Sequence, residues 1–380
     1  MTRRIFWTAG ALVAYTYAGF PALVLVRGAL WPRPHRSAPV TPSVSVVVAA
    51  RNEAPRIAAK IDNLLGLDYP ADLLEVIVAS DGAVDGTVSA ARSRGDPRVR
   101  VLDLPCLGKA GALNTAAAAA RGDVLVFTDA NSKLDRCALR ALVAPFADPE
   151  VGGVAGDQRY TPGRDEAAAP RGERRYWQLD RALKRAESRA GNVISATGAI
   201  YAIRRELFVP APAGVTDDFA VSTAVICQGR RLVFAADAVA REPVAASTEA
   251  EFERKVRVIT RGLGAVLLRR ELLDPRAQGF YALQLLSHKV LRRLMPLPLL
   301  TLFGSSLRLA REGGPYRLVA GAGSGVLTFG AAGLLASRGG KAGRFLTLPS
   351  YFLLVNLASV RAVLNLLRRR PIERWEPRRG

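Results

Sequence analysis

From Ser43 onward the chain alternates short apolar runs with stretches of helical spacing. Val44 to Ala50, Glu75 to Ala79, Val99 to Leu104 and Val124 to Phe127 are short and rich in β-branched residues, as strands buried in a sheet are. Pro55 to Leu67, Gly86 to Arg94 and Lys109 to Ala120 lie between them and read as helices. This rhythm predicts βαβ units, hence an α/β fold with a mostly parallel, Rossmann-like sheet and helices on both faces. Gly152 to Gly156 reads as a further strand, and Arg174 to Arg189 and Phe219 to Cys227 read as further helices.

The two ends of the chain are patterned differently. Residues 5–26 carry no charge, and at about 1.5 Å per residue such a run crosses the hydrocarbon core of a bilayer. A secretory signal peptide is the rival reading, because Arg3 and Arg4 supply a basic start. The run outlasts a signal peptide's apolar core and ends without a small-x-small cleavage site, so residues 1–30 are expected to be a transmembrane anchor. A proline-rich linker, 31–42, leads into the α/β domain, 43–275. Residues 276–293 have the amphipathic pattern of an interfacial helix, with His288 at headgroup level. A transmembrane region over 294–367 follows, with spans expected near 294–310, 316–336 and 345–367. The first is short and broken by prolines and glycine, which suits a re-entrant segment. Arg361, inside the last, either packs, lines a pore or snorkels. Residues 368–380 form a basic tail.

Charge narrows the partners. Lys and Arg number 54 against 33 Asp and Glu, a net charge of +21. Nucleic acid would suit such a balance, but aromatic residues are only 7% and no zinc-finger, RRM or KH pattern occurs. Many arginines flank the apolar runs, so membrane lipid is the expected partner and nucleic acid is not. Cys106, Cys137 and Cys227 share no short spacing and read as small buried residues, not as a disulfide framework or metal site.

Candidate chemistry sits where the strands end, since parallel sheets bind ligands at their carboxyl ends. Arg51, Asn52 and Glu53 follow the first strand, and Ser80 to Thr87, with Asp81 and Asp85, follow the second. After the third comes Gly108-Lys109-Ala110-Gly111-Ala112-Leu113-Asn114, a lysine at a helix start, which favours phosphate or diphosphate. The first turn lacks G-x-G-x-x-G and Gly108-Lys109 lacks Walker spacing, against a dinucleotide fold and a P-loop. Val124 to Phe127 runs into Thr128-Asp129-Ala130-Asn131; along an extended chain Asp129 and Asn131 would face one side and share a hard cation. Turn and cap chemistry alone could explain each loop, including Thr216 or Asp217 as helix cap.

Six motifs taken together carry a resemblance. Ala-Arg-Asn-Glu (50–53), Ser-Asp-Gly-Ala-Val-Asp-Gly-Thr (80–87), Gly-Lys-Ala-Gly-Ala-Leu-Asn (108–114), Thr-Asp-Ala-Asn (128–131), Thr-Gly-Ala-Ile-Tyr-Ala-Ile-Arg-Arg (197–205) and Thr-Asp-Asp-Phe (216–219) stand in the order of a membrane-bound family 2 glycosyltransferase. Residues 43 to about 262 thus resemble the GT-A domain of cellulose, chitin, hyaluronan and poly-N-acetylglucosamine synthases. The resemblance implies inverting transfer from a UDP-sugar to a saccharide acceptor, with Mg²⁺ or Mn²⁺, at the inner membrane and with the catalytic domain cytoplasmic. It implies Asp218 as catalytic base, and Glu53, Asp81, Lys109, Asp129, Arg257 and Arg261 as donor-binding residues. Thr197, Gly198 and Asp217 would meet the acceptor, and Asp129 with Asn131 would hold the metal. Asn131 replaces the commoner Asp, so the cation should bind more weakly. The Gln-x-x-Arg-Trp of processive relatives is absent: Glu253 to Gly262 contains no Trp, and Arg257 is preferred over Arg261 for its arginine. Losing the ring that stacks on a growing chain makes single-sugar transfer to a ceramide, diacylglycerol or polyprenyl phosphate a second reading, and an inactive scaffold of an export complex a third. A cytoplasmic domain followed by three spans would leave the basic tail outside, against the positive-inside rule; a re-entrant 294–310 removes the conflict.

Overall fold

A computed structural model describes residues 1–161, 171–243, 248–338 and 346–368. Eight strands form one sheet: β1 (Val44–Ala50), β2 (Leu74–Asp81), β3 (Val99–Leu104), β4 (Val124–Phe127), β5 (Lys133–Leu134), β6 (Val151–Thr161), β7 (Tyr201–Arg204) and β8 (Arg231–Pro243), in the order β3-β2-β1-β4-β7-β6-β8-β5. The pairs β1/β2, β2/β3, β1/β4 and β6/β8 are parallel, while β7 runs antiparallel to both β4 and β6 and β5 runs antiparallel to β8. The reversal at β7 matters for the site. It sets the amino end of β7 beside the carboxyl end of β4, so residues 197–200 meet the Asp129 loop.

Alternation along the strands feeds two cores. Val47, Ala49, Ile77, Leu125, Phe127 and Tyr201 point to one face, where α4 (Gly108–Ala119) and α7 (Asp217–Cys227) pack. Val46, Val48, Val76, Val78 and Val126 point to the other, against α2 (Ala54–Leu65) and α5 (Ala138–Val143). Every residue of β1 is buried, and each large apolar side chain so placed contributes about 1.5–3 kcal/mol. The remaining helices of the α/β part are α3 (Thr87–Arg92), α6 (Arg171–Ala190) and α8 (Thr248–Leu268).

Among the described residues three helices are long and apolar enough to cross a membrane: Thr2–Leu30, which is α1, Gly314–Ala336 and Thr347–Leu367. The last two belong to α10 (Gly314–Arg338) and α11 (Thr347–Leu367). A π-helical turn at Tyr15–Gly19 precedes Pro21, whose missing N–H removes a helical hydrogen bond. The segment expected as a short first span forms α9 (Pro296–Leu309), which continues the helical run that starts at Phe280. α9 packs along α1 and ends beside the chain's start, where Arg3 and Glu312 pair at 2.8 Å. Residues 369–380 of the expected basic tail lie outside the described residues.

Several expectations need correction. The amphipathic 280–294 segment packs one face on the core around α7, with Leu285 fully buried and the Tyr281 hydroxyl donating to the Ile194 carbonyl at 2.8 Å, while Leu283 and Leu286 stay exposed. His288 pairs with Glu187 of α6 at 2.7 Å, a partner its sequence did not reveal. Arg361 is a packing residue: it pairs with Glu253 at 3.1 Å and lies over the Phe252 ring, in the seam where Ala358 and Ala362 of α11 meet Val256 and Ile259 of α8. The cysteines are free, but Cys106 and Cys137 are exposed and Cys227 is half-buried, so none belongs to the core as expected.

The linker is strapped to the α/β domain. Buried Arg231, at the start of β8, donates to the carbonyls of Arg33 at 2.6 Å and Pro34 at 3.1 Å, and to those of Ser188 and Gly191. Arg231→Met is expected to leave these carbonyls short of donors and lower stability by about 2–4 kcal/mol. Thermal unfolding of the detergent-solubilised protein measures this as a fall in Tm.

Candidate active site

Beyond β4 the chain does not stay extended. Ser132 N–H donates to the Asp129 carbonyl at 3.2 Å, closing a turn, and Asp129 N–H donates to the Gly198 carbonyl at 3.0 Å. Strand alternation therefore does not set the direction of Asn131, which stands exposed in the turn.

Lys109, at the start of α4, bridges two elements. Its ammonium donates to Asp129 Oδ1 at 2.8 Å and pairs with Asp217 Oδ2 of α7 at 3.1 Å. Burial disfavours the charged amine, but Asp129, Asp217 and, more weakly, Asp218 hold its pKa well above the ordinary lysine value. Asp217 is thus bound to Lys109, an engagement its expected acceptor role did not include.

Asp218 occupies the first turn of α7. Its Oδ1 accepts from Phe219 N–H at 2.7 Å and its Oδ2 from Gly198 N–H at 3.1 Å. Burial and then the neighbouring Asp217 charge push its pKa up to about 6, against the pull of Lys289 and Lys109. Thr216 is the helix cap position but makes no capping bond through its side chain. Gly198 joins the parts. Its N–H holds Asp218, its carbonyl holds Asp129, and a Cβ placed on it would lie 2.7 Å from Asp129 Oδ2. The hydroxyls of Thr197, Tyr201 and Thr216 are buried here without hydrogen-bond partners among the described residues.

A second group lines the ends of β1 and β2. Asp81 is fully buried; its Oδ1 accepts from the N–H groups of Leu107 at 2.6 Å and Gly108 at 3.0 Å, which anchors the start of α4. Its Oδ2 makes no hydrogen bond and lies 3.7 Å from Arg51. Glu53 is buried at the start of α2, 3.3 Å from Arg56, and its N–H donates to Thr87. Asn52 adopts φ +55°, and its side-chain carbonyl accepts from Val84 N–H, tying the first two loops together. Arg257 and Arg261 stand on α8; burial and then Arg257 lower the Arg261 pKa, opposed by Asp217, which places this pair within the field of the carboxylate cluster.

Three residues of this site escaped the sequence reading. Lys60, only 4% exposed, donates to Thr128 Oγ1 at 2.8 Å and the Ser132 carbonyl at 2.5 Å, clamping both ends of the Asp129 turn from beneath. Burial brings its pKa down to about 7, with Asp129 and Glu242 opposing. A signal existed: Ile57, Lys60, Ile61 and Leu64 share the buried face of α2, and a lysine there needs a partner. Glu242, on the unforeseen strand β8, accepts from Ser132 Oγ and from Gln158 at 2.6 Å, and burial followed by Asp129 raises its pKa. Lys289 reaches the cleft from the 280–294 segment.

The donor set fits a hard divalent cation. Asp129 offers a half-exposed carboxylate and Asn131 an exposed carboxamide, both oxygen ligands of the kind Mg²⁺ or Mn²⁺ takes. Among the described residues no group of three His, Cys, Asp or Glu side chains is placed to hold a metal ion, so a cation here would draw its other ligands from a diphosphate and water.

Residues 45–209 match the family described as Glycosyl transferase family 2. The beta-monoglucosyldiacylglycerol synthase of Synechocystis sp. is 33% identical over 118 residues, 30% of this chain and 25% of that protein. An N-acetylglucosaminyltransferase of Rhizobium meliloti is 28% identical over 216 residues, 52% of this chain and 50% of that protein. The alignments thus span a quarter to a half of these relatives. Among solved structures, the mannosyltransferase PcManGT from Pyrobaculum calidifontis, in complex with GDP-Man and Mn²⁺, superposes with a TM-score of 0.72 at 26% identity over 96% of this chain and 99% of that one.

Gly198→Ala is expected to push the Asp129 carboxylate off Lys109 and lower transfer about 10–100-fold, since sub-ångström misplacement of reacting groups is costly. Turnover measured beside circular dichroism checks this; unchanged turnover would mean that the Asp129 position is uncritical.

Proposed function

We propose that the chain, whose residues 45–209 match Glycosyl transferase family 2, is a glycosyltransferase that transfers one sugar, with inversion, from a UDP-sugar to an acceptor at the membrane surface. The observation that carries this reading is Gly198, which holds Asp129 through its carbonyl and Asp218 through its N–H, with Lys109 closing the other side. A base and a cation-flanked carboxylate then face the same small volume.

Asp218 takes the proton from the acceptor hydroxyl as that oxygen attacks the anomeric carbon, because a neutral hydroxyl is a weak nucleophile. A pKa near 6 leaves the carboxylate ionised at neutral pH yet basic enough to accept the proton. The bond from the anomeric carbon to the diphosphate breaks with its electron pair on the leaving group. Lys109, Arg257 and Arg261 offset the growing charge. Mg²⁺ or Mn²⁺, held by Asp129 and Asn131, supplies further neutralisation of the diphosphate when bound. One displacement turns an α-linked donor into a β-linked product. Asp81 Oδ2, buried and lacking a hydrogen, suits an imide N–H on a base edge, and Glu53 stands near the nucleoside side. Thr197 and Asp217 border the acceptor side.

A lipid or lipid-linked acceptor is favoured over a growing polysaccharide. The 280–294 segment brings a membrane-leading helix to the base, and α8 carries no Trp to hold a sugar chain. With nucleotide sugars made in the cytosol, the domain would face the cytoplasm from the inner membrane. The occupied places of Asp129, Lys109, Asp217 and Asp218 speak against an inactive scaffold.

Asp218→Asn is expected to keep donor affinity and lower kcat by about 10²–10⁴-fold, the scale of a lost general base. Donor titration and turnover of the purified variant, with UDP-sugars and a GDP-sugar offered in parallel, check it; wild-type-like turnover would remove Asp218 from this role. In the parent protein kcat/KM should rise with pH up to about 6 and then level, because the base works only once deprotonated. A pH profile without that limb would assign the base elsewhere.

A further inference from the structure

The site contains a lysine that the donor chemistry does not use. Lys289 makes no hydrogen bond or ion pair among the described residues; its ammonium lies 4.0 Å from the centroid of the Phe219 ring. Phe219 follows Asp218 on α7 and donates its N–H to that carboxylate, so the ammonium stands on the base side of the cleft. Lys109, by contrast, is engaged by Asp129 and Asp217 on the donor side. Gly262 of α8 faces the lysine stem: a Cβ there would come 3.5 Å from Lys289 Cε, an ordinary van der Waals contact.

An ammonium has three hydrogens to donate and accepts none, and enclosing it without an anion is costly. Burial lowers its pKa to about 8 while Asp218 opposes, yet the two groups do not close into an ion pair. Space between a base and an unpaired cation suits a molecule with a reactive oxygen at one end and an anion at the other. The helix that supplies Lys289 carries Arg292 and Arg293 one turn on and continues into α9, packed along the membrane-crossing α1. Anions arriving along that path are lipid phosphates.

We infer that Lys289 binds the phosphate of an anionic lipid acceptor, beside the oxygen that Asp218 deprotonates. This rests on the transferase reading above. In the step, the acceptor O–H, a glycerol hydroxyl beside a phosphodiester or the P–O–H of a phosphate monoester, gives its proton to Asp218, its oxygen bonds to the anomeric carbon, and the carbon–oxygen bond to the donor diphosphate breaks with its electrons leaving on the nucleoside diphosphate.

The test uses the full chain in phosphatidylcholine nanodiscs with labelled donor and three acceptors: undecaprenyl phosphate, phosphatidylglycerol and dioleoylglycerol. Transfer by the parent should favour a phosphate-bearing lipid. Lys289→Gln should raise the acceptor KM about 10-fold or more while donor KM stays within about twofold, and Lys289→Arg should restore most of it, as for a lost charge-assisted hydrogen bond. Preference for dioleoylglycerol, or an acceptor KM unmoved by Lys289→Gln, overturns the inference while the enzymatic reading stands. A rise confined to donor KM also overturns it and assigns the lysine to the donor diphosphate. Failure of the parent both to bind nucleotide sugar and to transfer to any lipid sinks both readings.

Discussion

A single ammonium held between carboxylates from two distant stretches of chain is the contact on which this site depends. Asp129 ends a central strand and Asp217 opens a helix nearly ninety residues later; Lys109 touches both. With Asp218 adjacent, three acidic groups share one partly buried cleft, where their mutual repulsion would open it were no cation placed among them. The lysine supplies the charge, and the backbone of Gly198 supplies the directions. Because β7 runs against β4, that glycine can serve the strand on one side and the helix on the other.

The scaffold beneath is also polar. Lys60 fastens the turn carrying Asp129 to α2, and Glu242 fastens it to β8 through Ser132. Such a turn, pinned from below by buried partners, holds its exposed groups without rearrangement when a ligand arrives, which is what preorganised electrostatic stabilisation requires.

Much of the α/β fold was readable because its cause is local. β1, β2 and β4 are β-branched runs buried on both faces, and such runs permit little else. β8 escaped because eight of its thirteen residues are alanine or charged, poor strand formers that tertiary pairing with β6 overrides. At the site, Asp129, Lys109, Asp217 and Asp218 were legible as residues, but their mutual contacts were not, because these depend on the antiparallel turn of β7 and on helix placement. Asn131 shows the limit of a periodicity argument: alternation holds only while the chain is extended, and a hydrogen-bonded turn begins at Asp129. The 280–294 segment shows another, since an amphipathic face records that it is covered and leaves open whether lipid or protein covers it.

The guanidinium of Arg231 grips the carbonyls of Arg33 and Pro34, only a few residues beyond the end of α1. A slack tether would let the cleft wander over a range of heights above the bilayer. Gripped in this way, the stretch between anchor and sheet behaves as a strut, and the cleft keeps a constant stand-off from the lipid plane. Under the proposed membrane-acceptor reading, reach would then be a filter of its own: molecules whose reactive oxygen floats at that altitude would be presented to the carboxylates, and those riding deeper or farther out would pass by unread.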